Sequence, residues 1–169
     1  FLTTFFISAA AAIILTPIVR RIAWELGVVD KPGGRKVHRR NMPTLGGIAI
    51  AAGFFAGIIV AFKAVPGAMY ASSLKFSGLC VGSAIILALG VIDDIRPLRA
   101  KPKLFVQIIA ASILIACGFT VGGITIPFIG KVSLGFFGII FSLLWIVGIT
   151  NAINLLDGLD GLAAGVSGI

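Results

Sequence analysis

Along this chain, long apolar runs alternate with short polar segments, and the charged residues collect at the seams. Five runs stand out, at 1–19, 45–62, 76–92, 104–119 and 134–149, and a sixth starts near residue 161. Each is close to the ~17-residue lower bound for a helix crossing a hydrocarbon layer about 30 Å thick, so the runs predict membrane spans. Pro17, near the end of the first, is tolerable in a membrane helix. In the second, Gly53 and Gly57 have the Gly-x-x-x-Gly spacing that lets two helix backbones approach closely. Between the fourth and fifth runs, Thr120–Ser133 sets β-branched residues among Gly and Pro (Ile124-Thr125-Ile126-Pro127, then Lys131-Val132-Ser133), which predicts a small hairpin. The expected fold is all-α: a polytopic integral membrane helical bundle forming one transmembrane domain over 1–169. It would hold about five complete spans, the start of a sixth and a small extracytoplasmic β-hairpin. The chain opens at Phe1 without a Met and stops at Ile169 inside an apolar run, as expected of an N-terminal piece of a longer protein.

Composition agrees with the pattern. The chain is 59% hydrophobic and 12% charged, against roughly a quarter charged in soluble domains. The formal charge of +8 would point to nucleic acid in a soluble protein. In a membrane chain the distribution of Lys and Arg matters more, and no nucleic-acid partner is expected. Five alternating spans put the loops 20–44, 93–103 and 150–160 on one side. Those loops carry Arg20, Arg21, Lys31, Arg35, Lys36, Arg39, Arg40, Arg96, Arg99, Lys101 and Lys103, and the other side only Lys63, Lys75 and Lys131. The positive-inside rule then makes the three loops cytoplasmic. Cys80 and Cys117 lie in apolar runs, outside any CxxC, and read as small packing residues. Trp24 and Trp145 read as interfacial anchors.

The same three loops hold the candidate chemistry. Asp93-Asp94 closes the third run. Read blandly, it is an interfacial helix end neutralised by Arg96 and Arg99; read sharply, it is a hard-cation site or a proton acceptor facing a polar cleft. Oxygen donors without Cys or clustered His favour Mg²⁺ or Mn²⁺ over zinc. Asn151, Asn154, Asp157 and Asp160 recur every three residues after the fifth run, so neighbours in this ladder share a helix face. Capping and Asp-Gly turns explain one or two such residues, while four exceed what one cap needs. Gly158 and Gly161 would allow an unwound backbone or close approach by a ligand. The loop around Arg35, Lys36, His38 and Arg39 is a cationic patch that either sets topology and meets anionic lipid, or captures a phosphate. His38 is the only histidine and, alone, makes no metal site.

Taken in order, these blocks are specific. Asp30-x-Pro32-x-x-Arg35-Lys36-x-His38, then Pro43-Thr44-x-Gly46-Gly47, then Asp93-Asp94, then Asn151-x-x-Asn154-x-x-Asp157-Gly-x-Asp160-Gly resembles the polyprenyl-phosphate N-acetylhexosamine-1-phosphate transferases of glycosyltransferase family 4. The resemblance covers essentially the whole chain. From Val91 to Gly130 it is closer to the undecaprenyl-phosphate N-acetylglucosaminyl-1-phosphate transferase branch than to the muramoyl-pentapeptide branch.

The resemblance implies a multi-pass enzyme of the cell inner (plasma) membrane with its active site on the cytoplasmic face. It would transfer N-acetylhexosamine 1-phosphate, expected to be GlcNAc-1-phosphate, from a UDP-N-acetylhexosamine to a polyprenyl phosphate such as undecaprenyl phosphate. UMP would be released with Mg²⁺ as cofactor, Mn²⁺ being the alternative, in the first membrane step of cell-envelope polysaccharide synthesis. Asp93, Asp94 and Lys103 match the catalytic positions, the pair activating the lipid phosphate or organising the metal and the lysine contacting the diphosphate. Asn154 matches a magnesium-binding position, with Asp94 beside it in that role. Asp157 and Asp160 match the part facing the nucleotide, with Asp160 nearest the uracil. Arg35, Lys36, His38 and Arg39 match a stretch associated with the substrate phosphates and nucleoside, and Thr44 and Asn151 count with the substrate-binding residues. Family members have about ten or more spans, and a later loop supplies another metal-binding aspartate. By that resemblance the chain holds about half of an enzyme, and a homodimer is expected by analogy. Two rivals predict something else: a cation-coupled transporter would want carboxylates near mid-span, and a non-catalytic lipid-phosphate-binding module would not need the ladder.

Overall fold

The computed structural model describes residues 2–30, 42–64, 73–128 and 130–156. Helix α1 is Leu2–Glu25, α2 Gly46–Ala64, α3 Ser73–Ile95, α4 Ala100–Ala116 and α5 Gly135–Leu156. The strands are two residue pairs, β1 (Val29–Asp30) with β2 (Met42–Pro43), and a longer hairpin, β3 (Gly123–Ile126) with β4 (Gly130–Ser133). Four helical stretches, Leu2–Glu25, Gly46–Lys63, Ser73–Ile95 and Gly135–Leu155, are long and apolar enough to cross a membrane. Helix α4 has 17 residues, about 26 Å at 1.5 Å per residue, slightly short of a full crossing. The chain is thus an all-α polytopic membrane bundle with the small hairpin that the alternation at 120–133 predicts. The expected run from residue 161 lies outside the described residues.

Among the described residues, the most deeply buried apolar ones are small. Ala23, Ala49, Ala110 and Ala111 are at most 1% exposed, while Phe5, Ile13, Phe136, Phe137 and Leu144 stand outward. That inverts a soluble core, and it is what a bundle solvated by lipid requires: hydrocarbon gives bulky side chains no reason to hide, and helices associate by close backbone packing. Trp145 does not fit the anchor reading. It sits midway along α5, stacked on Phe141 with ring centroids 5.8 Å apart. Trp24, in the last turn of α1, keeps a helix-end position.

The residues divide into two compact units, 1–73 with 86–99, and 74–85 with 100–169. In the first, α1 packs on α2 along a seam of small residues. A Cβ on Gly53 would lie 2.7 Å from the Ser8 carbonyl oxygen and 3.0 Å from the Ala12 Cβ, and one on Gly57 would collide with the Ser8 hydroxyl. Helix α1 runs six residues past the apolar run that predicts it, through an exposed Arg21–Glu25 pair (Nε to Oε1, 2.9 Å). It ends where Gly27 takes φ +69° and Val28 N–H donates back to Ala23 O at 2.9 Å. That closure needs a residue free of the Cβ penalty at positive φ.

In the second unit, α4 closes with Gly118 at φ +93° and a bond from Phe119 N–H to Leu114 O (3.0 Å), three residues before the apolar run finishes. The chain then reaches the hairpin, in which Gly123 pairs with Ser133 and Ile126 with Gly130. Ser142, 2% exposed on α5, joins the connection to the helix: its hydroxyl donates to Gly138 O (2.6 Å) and accepts from Val121 N–H (2.8 Å). Ser142→Ala is expected to leave the Val121 donor unmet and to cost about 1–3 kcal/mol, measurable as a lowered thermal midpoint in detergent. A midpoint equal to wild type would show that another acceptor replaces the hydroxyl.

Candidate functional site

The first unit gathers the ends of the basic segment around Asp94. Val29 pairs with Pro43 and Asp30 with Met42, so the chain on either side of residues 31–41 is held together by an antiparallel clasp. Thr44 tightens it, its N–H (3.3 Å) and its hydroxyl (3.2 Å) both donating to Val28 O. The next residue, Leu45, is 4% exposed at φ +32°, and its N–H donates to Asp94 Oδ2 at 2.9 Å. Asp94 therefore caps the start of α2, where a carboxylate meets unpaired N–H groups and the positive end of the helix dipole. Asp93 Oδ1 accepts from Leu98 N–H (2.9 Å) and shapes the turn that Pro97 forces after α3.

Both carboxylates lie in the last turn of α3, the negative end of its dipole. Each is unfavourable there by roughly 0.3–1 kcal/mol, and their mutual repulsion adds to it. Charge-assisted bonds to Leu45 and Leu98 offset part of this. A local cost tolerated at a named place is what a functional site looks like in an otherwise consistent fold.

The second unit gathers polar residues at one end of an antiparallel helix pair. Helix α4 leads through Val121 into the hairpin and α5 returns, so Ser142 marks the hairpin end and the Gln107–Asn151 bond lies toward the other. Asn151 Nδ2 donates to Gln107 Oε1 (2.7 Å) and to Val147 O, one turn back, at 2.8 Å. From that level Lys103 lies one turn, about 6 Å, toward the start of α4, and Asn154 about 4.5 Å toward the end of α5, in the same direction along the pair. Lys103 is half-buried, and Asn151 and Asn154 are exposed.

Arg35, Lys36, His38, Arg39, Asp157 and Asp160 lie outside the described residues. Among the described residues no three His, Cys, Asp or Glu side chains converge as a ready metal cluster. Taken unit by unit, the Asp93 and Asp94 carboxylates in the first and the Asn151 and Asn154 amide oxygens in the second are hard donors of the type that Mg²⁺ takes. Gln107 is absent from the sequence-derived site. Its signal is a single amide inside the apolar run 104–119, where a polar side chain that stays buried usually has a partner.

Comparison with known proteins now adds a family. The profile of glycosyl transferase family 4 matches residues 76–169. A Bacillus subtilis (strain 168) protein named "Probable undecaprenyl-phosphate N-acetylglucosaminyl 1-phosphate transferase" is 42% identical over 164 residues, covering 96% of this chain and 44% of the relative. The decaprenyl-phosphate N-acetylglucosaminephosphotransferase of Mycobacterium tuberculosis (strain ATCC 25618 / H37Rv) is 36% identical over 158 residues, covering 88% and 38%. The phospho-N-acetylmuramoyl-pentapeptide-transferase of Listeria monocytogenes is 30% identical over 181 residues, covering 99% and 54%. The chain thus spans about half the length of these relatives or less. No solved structure matches it. With the match over residues 76–169 and four membrane-capable helices, the chain belongs to glycosyl transferase family 4 as a multi-pass membrane member.

Proposed function

We propose that the protein transfers N-acetylhexosamine 1-phosphate from a UDP-sugar, GlcNAc in the first instance, to a polyprenyl phosphate at the cytoplasmic face of the membrane. An oxygen of the lipid phosphate attacks the β-phosphorus of the UDP-sugar. The bond from that phosphorus to the bridging oxygen breaks, and UMP leaves with the electron pair. Both substrates are anions, so the protein's task is to neutralise charge and hold the groups in line. By the resemblance, Asp94 and Asn154 each match a metal-binding position, and Mg²⁺ when bound would neutralise the diphosphate. Lys103 matches a position that adds positive charge to the diphosphate. Asp93 is the acceptor for a proton on the lipid phosphate, and the basic segment 31–41 meets the donor's phosphates.

The observation that carries this reading is the clasp. Asp94 accepts from the N–H of Leu45, the residue just before α2, and only Thr44 and Leu45 separate that helix from β2, which closes the clasp around residues 31–41. The acidic pair and the two ends of segment 31–41 thereby belong to one unit, which supports reading the segment's cations as serving the same substrates. The names of the relatives supply the chemistry, each being a prenyl-phosphate or phospho-sugar transferase.

The test is UMP release by the complete native protein in detergent, given undecaprenyl phosphate and labelled UDP-N-acetylglucosamine. Chelation is expected to lower the rate by at least ~100-fold, with Mg²⁺ restoring it and Mn²⁺ restoring part. Folded protein that releases no UMP from any of several UDP-sugars would overturn the proposal, and ion flux would be measured next.

A further inference from the structure

We infer that Gln107 is a positioning residue for this site, holding the Asn151 amide so that its carbonyl oxygen, not its N–H groups, faces the ligand; the inference rests on the transferase reading. The orientation follows from chemistry. Val147 O is a backbone carbonyl and can only accept, so the Asn151 atom 2.8 Å from it is the nitrogen. The same nitrogen lies 2.7 Å from Gln107, so the Gln107 atom facing it is the oxygen Oε1. Both amide hydrogens of Asn151 are then committed, one to its own helix and one to α4. What remains to meet a ligand is Oδ1, an acceptor suited to a hydroxyl or imide N–H of the donor nucleotide-sugar and unsuited to a phosphate oxygen.

Burial separates this pair from an ordinary surface contact. Gln107 is 5% exposed, on a helix whose buried neighbours are Ala110 and Ala111, and among the described residues it and Ser142 are the buried polar ones. A lone amide there is costly unless bonded, and the bond it makes ends on the ladder. Gln107 also sits one turn from Lys103 on the same face of α4. Fixing Asn151 therefore ties the ladder to the helix carrying the candidate diphosphate lysine.

The experiment measures steady-state kinetics of the complete native protein with Gln107→Met, Gln107→Glu, Asn151→Ala and the double variant Gln107→Met/Asn151→Ala. Gln107→Met keeps length and removes the oxygen. It is expected to raise KM for the UDP-sugar about five- to ten-fold, the effect of one neutral hydrogen bond, with KM for the lipid phosphate unchanged. Gln107→Glu, protonated or ionised, keeps an accepting oxygen and should return the donor KM to within about two-fold of wild type. In the Asn151→Ala background, Gln107→Met should add nothing to the donor KM. A merely structural role would lower the amount of active enzyme and leave KM unmoved. Unchanged donor KM in Gln107→Met, failure of Gln107→Glu to rescue, or losses that add in the double variant would each overturn the inference while leaving the transferase reading intact. No turnover by wild type would instead overturn that reading, and this inference with it.

Discussion

Asp94→Asn is expected to abolish transfer while leaving the fold in place, and Asp94→Leu to lose both. The difference comes from the two things the carboxylate does. As an acceptor it takes the Leu45 N–H at 2.9 Å, on a residue 4% exposed. As a charge it belongs to the acidic pair. Asn is nearly isosteric and keeps one oxygen that can accept from Leu45, so α2 still starts correctly and the clasp at the base of residues 31–41 still closes. What disappears is the charge for a cation and for the reacting phosphates, and UMP release should fall by at least ~100-fold. Leu removes the acceptor as well, leaves the Leu45 N–H unmet and adds about 1–3 kcal/mol of destabilisation. Circular dichroism and thermal unfolding in detergent separate the two variants. Wild-type turnover in Asp94→Asn would show that the carboxylate is a cap and nothing more.

The cap is also where reading from sequence stopped. The apolar runs gave the helices and the alternation at 120–133 gave the hairpin, because both are local periodicities that a solvent or lipid boundary enforces. Asp93-Asp94 was legible as chemistry, since two adjacent carboxylates at a helix end are hard to explain by solvation. That Leu45 N–H takes one of them was not legible: the contact joins residues 49 positions apart in sequence, and a backbone N–H leaves no mark on the sequence. The short β1–β2 clasp escaped for the same reason, being two residues long and bridging a polar segment without periodicity. Gln107 left a faint mark, one amide in an apolar run, but its partner could be found only once α4 and α5 were seen to run antiparallel. Helix ends drifted from the apolar runs where Gly27 and Gly118 could take positive φ, because hydropathy reports the lipid boundary whereas the end of a helix is set by backbone geometry.

Gly53→Val is expected to be the most damaging substitution in the first unit's helix seam, and its effect should reach the site. The new Cβ would lie 2.7 Å from the Ser8 carbonyl oxygen, a backbone atom within α1 that no rotamer change can remove. Relief requires the helices to part. In lipid, where close packing is the main attraction between helices, overpacking costs about 1–3 kcal/mol and at times more. Gly57→Ala differs in kind, because its collision is with the Ser8 hydroxyl. Adding Ser8→Ala should therefore rescue Gly57→Ala, leaving a Cβ–Cβ contact of 3.3 Å, but should do nothing for Gly53→Val. The reach to the site follows from connectivity. Helix α1 runs into β1 and β2 runs into α2, so parting the helices strains both the clasp and the bond from Leu45 to Asp94. Detergent thermal unfolding and UMP release should fall together in Gly53→Val. Full stability in that variant would mean that α1 and α2 do not pack along this seam, and rescue of Gly53→Val by Ser8→Ala would mean that the obstacle is a side chain after all.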